Sequence, residues 1–320
     1  MSNNDGIILS IVVPAYNEEE VLPEFHKRLT SVLEEVKGSC EILYVNDGSS
    51  DRTLEVLNDF KDPRVWIIDL SRNFGKEIAL SAGLDHARGE AVVVIDADLQ
   101  DPPELIPKFI EKWHEGYDVV YARRTARDGE TFIKKATAKL FYKFIQGVSR
   151  VKIPEDTGDY RLLSRRAVES LKQLRETHRF MKGLFAWIGY PQIAVSYHRD
   201  PRFAGSTKWN YWHLWNFAIE GITSFTINPL KIASYLGLTT SIGSFTYALF
   251  VIYKTLVFGE PVQGYPTLMV VVLFLGGVQL MSLGVIGEYL GRMFNETKQR
   301  PLYFINSFQP SKPQNEADRM

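Results

Sequence analysis

Asp96 and Asp98 stand two residues apart, with Gln100 and Asp101 close behind, in the stretch AVVVIDADLQDPP of residues 91–103. Two carboxylates at that spacing reach one hard cation where the chain bends. Oxygen donors of this kind suit Mg²⁺ or Mn²⁺ shared with substrate phosphates. The same acids also make turns and cap helices, and a short acidic motif by itself leaves both readings open. What precedes them favours chemistry. Val92 to Ile95 is an apolar, β-branched run, the pattern of a strand buried on both faces. Such a strand delivers its acids to the carboxyl edge of an open α/β sheet, where ligands bind. Pro102 and Pro103 stop the run and let a helix restart.

The elements that must position these acids follow from the pattern before and after them. Residues 7–13 read as an apolar strand ended by Pro14, and the AYNEEE segment opens a helix that runs through Leu33. A strand at 41–45 leads into a loop, NDGSSD, rich in residues that turn and cap. A helix at 53–60, a strand at 65–70, a helix at 76–88 ended by Gly89, the strand at 91–95, a helix at 103–114 and a strand at 118–122 complete the series. Strands alternating with helices predict an α/β fold with a mostly parallel, doubly wound sheet. Three loops then lie at carboxyl ends of strands: PAYNEE, VNDGSSD and DADLQD. Neither G-x-G-x-x-G after the first strand nor G-x-x-x-x-G-K-[ST] is present, so the two commonest phosphate loops are excluded.

The net charge of the 320 residues is −1, which excludes global steering of nucleic acid. The single Cys40 excludes an intramolecular disulfide. The start, MSNNDG, has neither a basic segment nor an apolar core, so no secretory signal is expected and the folded part is expected in the cytoplasm.

The second half has a different character. Within residues 131–149, Lys135, Lys139 and Lys143 run beside Phe132, Ala136, Leu140 and Phe144. That is a basic amphipathic helix suited to an anionic membrane surface, or a surface helix whose apolar stripe faces the core. Residues 211–231, with Tyr211, Trp212 and Trp215 at one end, suit the membrane–water boundary. Residues 232–258 and 265–290 each exceed the roughly 20 apolar residues a span needs. The first is interrupted only by Lys254, which can snorkel, and the second carries Glu288 near its end. Lys231 on one flank, and Arg292, Lys298 and Arg300 on the other, place both flanks in the cytoplasm by the positive-inside rule. The expected organisation is a cytoplasmic domain at 1–210, an interface helix, two transmembrane helices and a cytoplasmic tail at 291–320. Gly276, Gly277, Gly284, Gly287 and Gly291 offer small faces for helix packing, including a homo-oligomer.

PAYNEE, VNDGSSD, NFGKEIALSAG and DADLQDPPE, followed by TGDYRLLSR, RFMKGLFAWIGY and FAGSTKWNYW, resemble family-two glycosyltransferases of the GT-A fold. Within them the chain is most similar to polyisoprenyl-phosphate glycosyltransferases of the bactoprenol glucosyltransferase type. The likeness covers nearly the whole chain except the last fifteen or so residues, which read as disordered. The resemblance implies that Pro14, Tyr16, Asn17 and Glu18 line a nucleotide pocket and that Asp47 contacts the base or ribose. It gives Asp96 and Asp98 to the metal, and Gln100 and Arg123 to the donor sugar or acceptor phosphate. It gives Arg202, Ser206 and Lys208 to a loop over the phosphates, and Asp159 the place often assigned to a base. Packing is the simpler reading of Tyr16, and a solvated or lipid-facing basic loop that of Arg202 and Lys208.

The implied reaction is inverting transfer of a hexose, glucose first, from a UDP-sugar to undecaprenyl or another polyisoprenyl phosphate at the cytoplasmic face of the inner membrane. Its product would feed cell-surface glycan modification such as that of lipopolysaccharide. Two spans give no evident pore, so a flippase and a downstream glycosyltransferase are implied partners. Mannose, N-acetylhexosamine and aminoarabinose donors use similar frames. A processive synthase would carry Q-x-x-R-W and more spans, and a non-enzymatic membrane assembly protein would tolerate loss of the acids. A phosphate acceptor has a second pKa of about 6 and needs no base at neutral pH. Asp159 is therefore expected to orient Arg161, Arg202 or Lys208, or to bind a sugar hydroxyl.

Overall fold

The apolar runs become strands and the amphipathic segments helices in the computed structural model, which describes residues 6–125, 157–177, 179–197, 228–258 and 264–311. β1 (Ile7–Ala15), β2 (Ser39–Asn46), β3 (Val65–Leu70), β4 (Ala91–Val94) and β5 (Val119–Arg124) alternate with α1 (Leu22–Glu34), α2 (Thr53–Asn58), α3 (Lys76–His86) and α4 (Ile106–His114). β6 (Thr157–Ser164), α5 (Arg165–Gln173), α6 (Met181–Trp187) and β7 (Gln192–Tyr197) follow. The described strands, with β8 (Ile305–Pro310), form one sheet in the order β7-β5-β6-β4-β1-β2-β3-β8. β1, β2, β3 and β4 are mutually parallel, as are β5 and β7, while β6 and β8 run antiparallel to their neighbours.

Both faces of the sheet are covered, which is why the central strands are apolar at consecutive positions. Leu9, Ile11 and Val13 of β1 face Phe25 and Leu29 of α1 and Phe109 of α4. Val12, Val92 and Val94 face Leu80 and Leu84 of α3, Val168 of α5 and Leu184 of α6.

Three expectations need correction. Pro14 does not end β1, which continues to Ala15. The carbonyl of Val12 accepts from Ile95, on the β4 side, and that of Ala15 accepts from Asp47, on the β2 side. By alternation, position 14 faces the β4 side just past the end of β4, so no ladder donor is missing there. Second, α1 starts at Leu22 rather than in the acidic segment, because Asn17 turns the chain with φ 55°. Third, the residues after 305 are not all a disordered tail: β8 pairs antiparallel with β3, and the Phe308 ring is tilted against Trp66 with centroids 5.4 Å apart. TGDYRLLSR, to which the sequence pattern assigns no element, supplies β6, inserted antiparallel between β4 and β5.

Between β7 and β8 lie two long helices, α7 (Asn228–Phe258) and α8 (Tyr265–Thr297). They contact each other as a hairpin, with a cleft between them lined by Gly237, Thr240, Val278 and Ser282 among others. Their apolar side chains, among them Phe245, Leu256, Phe274, Leu280 and Leu290, are exposed. Among the described residues one stretch, Phe274–Thr297, is long and apolar enough to cross a membrane, with mean hydropathy 1.2. The amphipathic stretch 131–149, and the interface helix up to residue 227, lie outside the described residues.

Candidate active site

The carboxyl edge of the sheet is assembled by loops that hold one another. Asn17, with its left-handed backbone, accepts from the amide of Ser50 at 2.8 Å, and its own amide donates to the Ser49 hydroxyl at 3.0 Å. The amide of Glu18 donates to Thr53 Oγ1 at 2.8 Å. PAYNEE and VNDGSSD are thereby stitched into a single rim. Gly48 in that rim has φ 62°, and a Cβ there would lie 2.3 Å from the Arg72 backbone, so only glycine fits. Asp47, expected on a base or ribose, is 3% exposed, and its two oxygens accept the amides of Phe74 at 2.7 Å and Gly75 at 2.9 Å. It secures the loop that leads into α3.

The first residue of α3, Lys76, is the centre of the site. Its ammonium lies 2.7 Å from Asp96 Oδ2 and 2.7 Å from Asp159 Oδ2. Topology explains the meeting. β6 enters the sheet beside the edge where β4 leaves it, with Val94 opposite Arg161. Continuing that register two residues outward sets Asp159 across from Asp96, both on the face that α3 covers. Gly75, with φ 96°, aims the first turn of α3 at them. Asp159 Oδ1 is buried and has no hydrogen-bond partner among the described residues.

Charge is concentrated around this point. Burial alone would raise Asp159, yet the ammonium groups of Lys76 and Lys182 outweigh it and hold the carboxyl well below the usual range. Lys76 is raised well above an ordinary lysine because Asp159 and Asp96 outweigh its own desolvation. Its side chain keeps 43% exposure, so solvent screens part of this attraction. Asp96 is raised, mainly by burial, against the pull of Lys76. Glu77 is pushed up to about 8 by burial and the neighbouring Asp159, and its Oε2 accepts the amide of Met181 at 3.2 Å. Burial lowers Arg161 to about 10. Its guanidinium lies over the Phe185 ring at 3.8 Å and donates to the carbonyls of Asp159 and Gly158.

Asp98 follows at the bend that the expected metal motif needs. Leu99 has φ 59°, which folds the chain back, and Asp98 Oδ1 accepts the amide of Gln100 at 3.1 Å. Asp98 and Gln100 are partly exposed, and Tyr16 on the opposite rim is exposed. Pro14 is partly buried inside β1. Asp101 is buried and accepts from the Tyr197 hydroxyl, so it closes the loop rather than facing a ligand. Arg123, the expected phosphate or sugar contact, is exposed on β5. Its neighbour Arg124 points the other way, 3.3 Å from the Tyr197 hydroxyl and against Gly158. Arg202, Ser206 and Lys208 lie outside the described residues.

Sequence reasoning therefore missed Lys76, Glu77, Arg124 and Lys182. One signal was available for Lys76. A lysine in the first turn of a helix opposes the macrodipole, and such a misplaced cation invites a search for acids nearby.

A cavity of about 640 Å³ lies elsewhere, between the end of α8 and α3, lined by Asp85, Arg175, Glu296 and Tyr303 among others. Asp85 binds Arg175 at 2.7 Å and Tyr303 at 2.8 Å, and Glu296 binds the amide of Thr177 at 2.7 Å. Its acids are occupied, and it is a joint between the hairpin and the sheet.

Comparison with known proteins adds to the geometry. A family model described as Glycosyl transferase family 2 matches residues 10–172, and one described as GtrB C-terminal hairpin matches residues 228–293. An uncharacterized glycosyltransferase of Synechocystis sp. is 58% identical over 94% of this chain and 95% of its own. The bactoprenol glucosyl transferase of Shigella phage SfX is 49% identical over 93% of this chain and 99% of its own. A prophage bactoprenol glucosyl transferase homolog of Escherichia coli is 48% identical over 93% and 98%. Among solved structures, glucosyl-3-phosphoglycerate synthase from Mycobacterium tuberculosis in complex with Mn²⁺ and uridine-diphosphate-glucose covers 69% of this chain and 78% of its own. The identity is 21% and the TM-score 0.48.

Proposed function

This chain belongs to glycosyl transferase family 2, and we propose that it moves glucose from UDP-glucose to the phosphate of a polyisoprenyl lipid, with inversion at the anomeric carbon. The observation that carries this reading is one chain in which the Asp96–Lys76–Asp159 cluster and an apolar helical hairpin belong to the same sheet-built body. An acceptor with its tail in lipid and its phosphate at the surface gives that combination a purpose. The names of the Shigella phage and Escherichia coli relatives support the same acceptor.

In the proposed step an acceptor phosphate oxygen attacks C1 of the glucose while the bond from C1 to the diphosphate oxygen breaks. The electron pair leaves with UDP. The acceptor is mostly dianionic at neutral pH, so Asp159 need not remove a proton. Asp159 instead anchors Lys76, and Arg161 stiffens the strand beneath it. Tyr16, Asn17 and Glu18 are proposed to border the nucleotide, and the phosphate role of Arg202, Ser206 and Lys208 is carried by the resemblance alone.

The donor set fits a divalent cation. Asp96 and Asp98 are hard oxygen donors at a bend, and among the described residues no cluster of three or more acidic, histidine or cysteine side chains surrounds them. A Mg²⁺ or Mn²⁺ held by this pair would take its other ligands from the diphosphate and water, and would neutralise charge on the leaving group. Asp98→Ala should then abolish transfer with the fold intact, and a chelator should inactivate the wild type reversibly.

Both hairpin helices are proposed to cross the inner membrane, with the sheet and both termini on the cytoplasmic side. The product then requires a flippase and a second glycosyltransferase. The test is a donor screen with purified full-length protein, undecaprenyl phosphate and Mg²⁺ or Mn²⁺, read by the mass of the lipid product. A lipid carrying one hexose from UDP-glucose is expected. A product only from mannose, N-acetylhexosamine or aminoarabinose donors would reassign the sugar, and no lipid product from any donor would overturn the reading.

A further inference from the structure

We propose that Lys76 is the resident counter-ion of this site: it holds Asp96 and Asp159 together before nucleotide arrives, and passes to the donor diphosphate when a divalent cation takes Asp96. The inference rests on the proposed donor and metal chemistry, and adds a coupling between them.

Three observations carry it. The ammonium is placed on the acids at 2.7 Å in each case, so a cation approaching Asp96 Oδ2 meets a like charge already there. The base of the side chain is immobile. Asp47 fixes the amides of Phe74 and Gly75, and Ala79 and Leu80 root α3 in the core. The side chain beyond it is a four-carbon stem with 43% exposure, and it lies at the same sheet edge as the rim of Asn17 and Ser50. A fixed base and a long, partly solvent-exposed stem would let the ammonium exchange one anionic partner for another without moving the helix.

The consequence is thermodynamic. Without nucleotide the cation must displace the ammonium from Asp96, and metal binding is weak. A diphosphate offers the ammonium a stronger anion, frees Asp96, and raises metal affinity. Metal and donor therefore bind together, and the site does not collect stray cations between turnovers. Asp159 keeps the displaced ammonium within reach, which gives this buried acid a positioning role.

The experiment measures Mn²⁺ affinity of detergent-purified full-length protein from the electron paramagnetic resonance of free Mn²⁺, with and without UDP. Lys76→Met should bind Mn²⁺ about tenfold more tightly than wild type when UDP is absent, because a like charge next to the site is gone. With UDP present the order should reverse or the gap should close, since the diphosphate has lost its lysine. Lys76→Arg retains the charge and should stay near wild type in both conditions, which separates charge from a packing effect. Equal tightening with and without UDP, or none in either, would overturn the coupling while leaving metal dependence intact. Failure of wild type to bind Mn²⁺ even with UDP would overturn the metal reading and the coupling together.

Discussion

Glu77 has its pKa pushed from 4.5 to about 8 by burial and by Asp159. The folded chain holds this proton more tightly than the unfolded chain does. Its contribution to stability is thus fully present below pH 4.5 and is lost as pH rises to about 8. Glu77→Gln keeps an acceptor for the Met181 amide and cannot ionise. Thermal unfolding should show wild type losing stability relative to this variant between pH 5 and about 8, with a constant gap above. Parallel curves would reject the shift. Arginine choice is a second matter at this scale. Arg124 faces Tyr197 and Gly158, whereas Arg123 faces outward. Arg124→Ala should lower kcat/KM by more than about tenfold, the scale of a lost charge-assisted hydrogen bond. Arg123→Ala should change it by less than about threefold, within ordinary surface effects. Equal losses would support the sugar or phosphate contact that the resemblance implies for Arg123.

At the scale of elements, β6 and β8 matter most, because each runs against the parallel pattern. β6 brings Asp159 to Asp96. β8 covers the edge of β3, which would otherwise present unpaired backbone groups. Its side chains lock it there: Asn306 Nδ2 donates to Asp69 Oδ2 at 2.8 Å, while Asn46 holds Oδ1 at 2.7 Å. Asn306→Ala strands one oxygen of the buried Asp69, at a cost of about 1–3 kcal/mol. Denaturant unfolding measures this, and a change below about 0.5 kcal/mol would mean that water replaces the amide. Removing residues 301–320 takes away the whole strand and is expected to cause aggregation, read by size-exclusion chromatography.

For the whole molecule, the chain leaves the sheet after β7 and rejoins it at β8, with the hairpin between. Both feet of the hairpin therefore stand on one side. If α7 and α8 cross the bilayer, the connection at 259–264 is on the other. A Gln263→Cys protein, with the buried Cys40 replaced by alanine, should react in intact cells with an impermeant thiol reagent. Labelling of a cysteine at Gln309 with none at Gln263 would invert the arrangement. The exposed apolar faces of α7 and α8 also make the protein dependent on detergent or lipid.

The sequence by itself determined the alternating elements, the loops at the carboxyl edge and the hairpin, because each is written in local periodicity and turn chemistry. β1 to β5, α2, α3 and α4 fall within a few residues of where apolar patterning puts them. The acids at 96 and 98 were legible for the same reason, since a buried run ending in carboxylates has one sensible place in an α/β sheet. What only the tertiary structure decided is pairing across distance. Nothing local tells that Lys76 meets Asp159, eighty-odd residues on, or that Arg124 rather than Arg123 turns inward. Nor does local pattern reveal that a polar stretch such as INSFQP is a strand, because an edge strand takes its order from the β3 backbone it pairs with and not from its own apolar content. Register and strand direction are long-range properties, and the site is built from them.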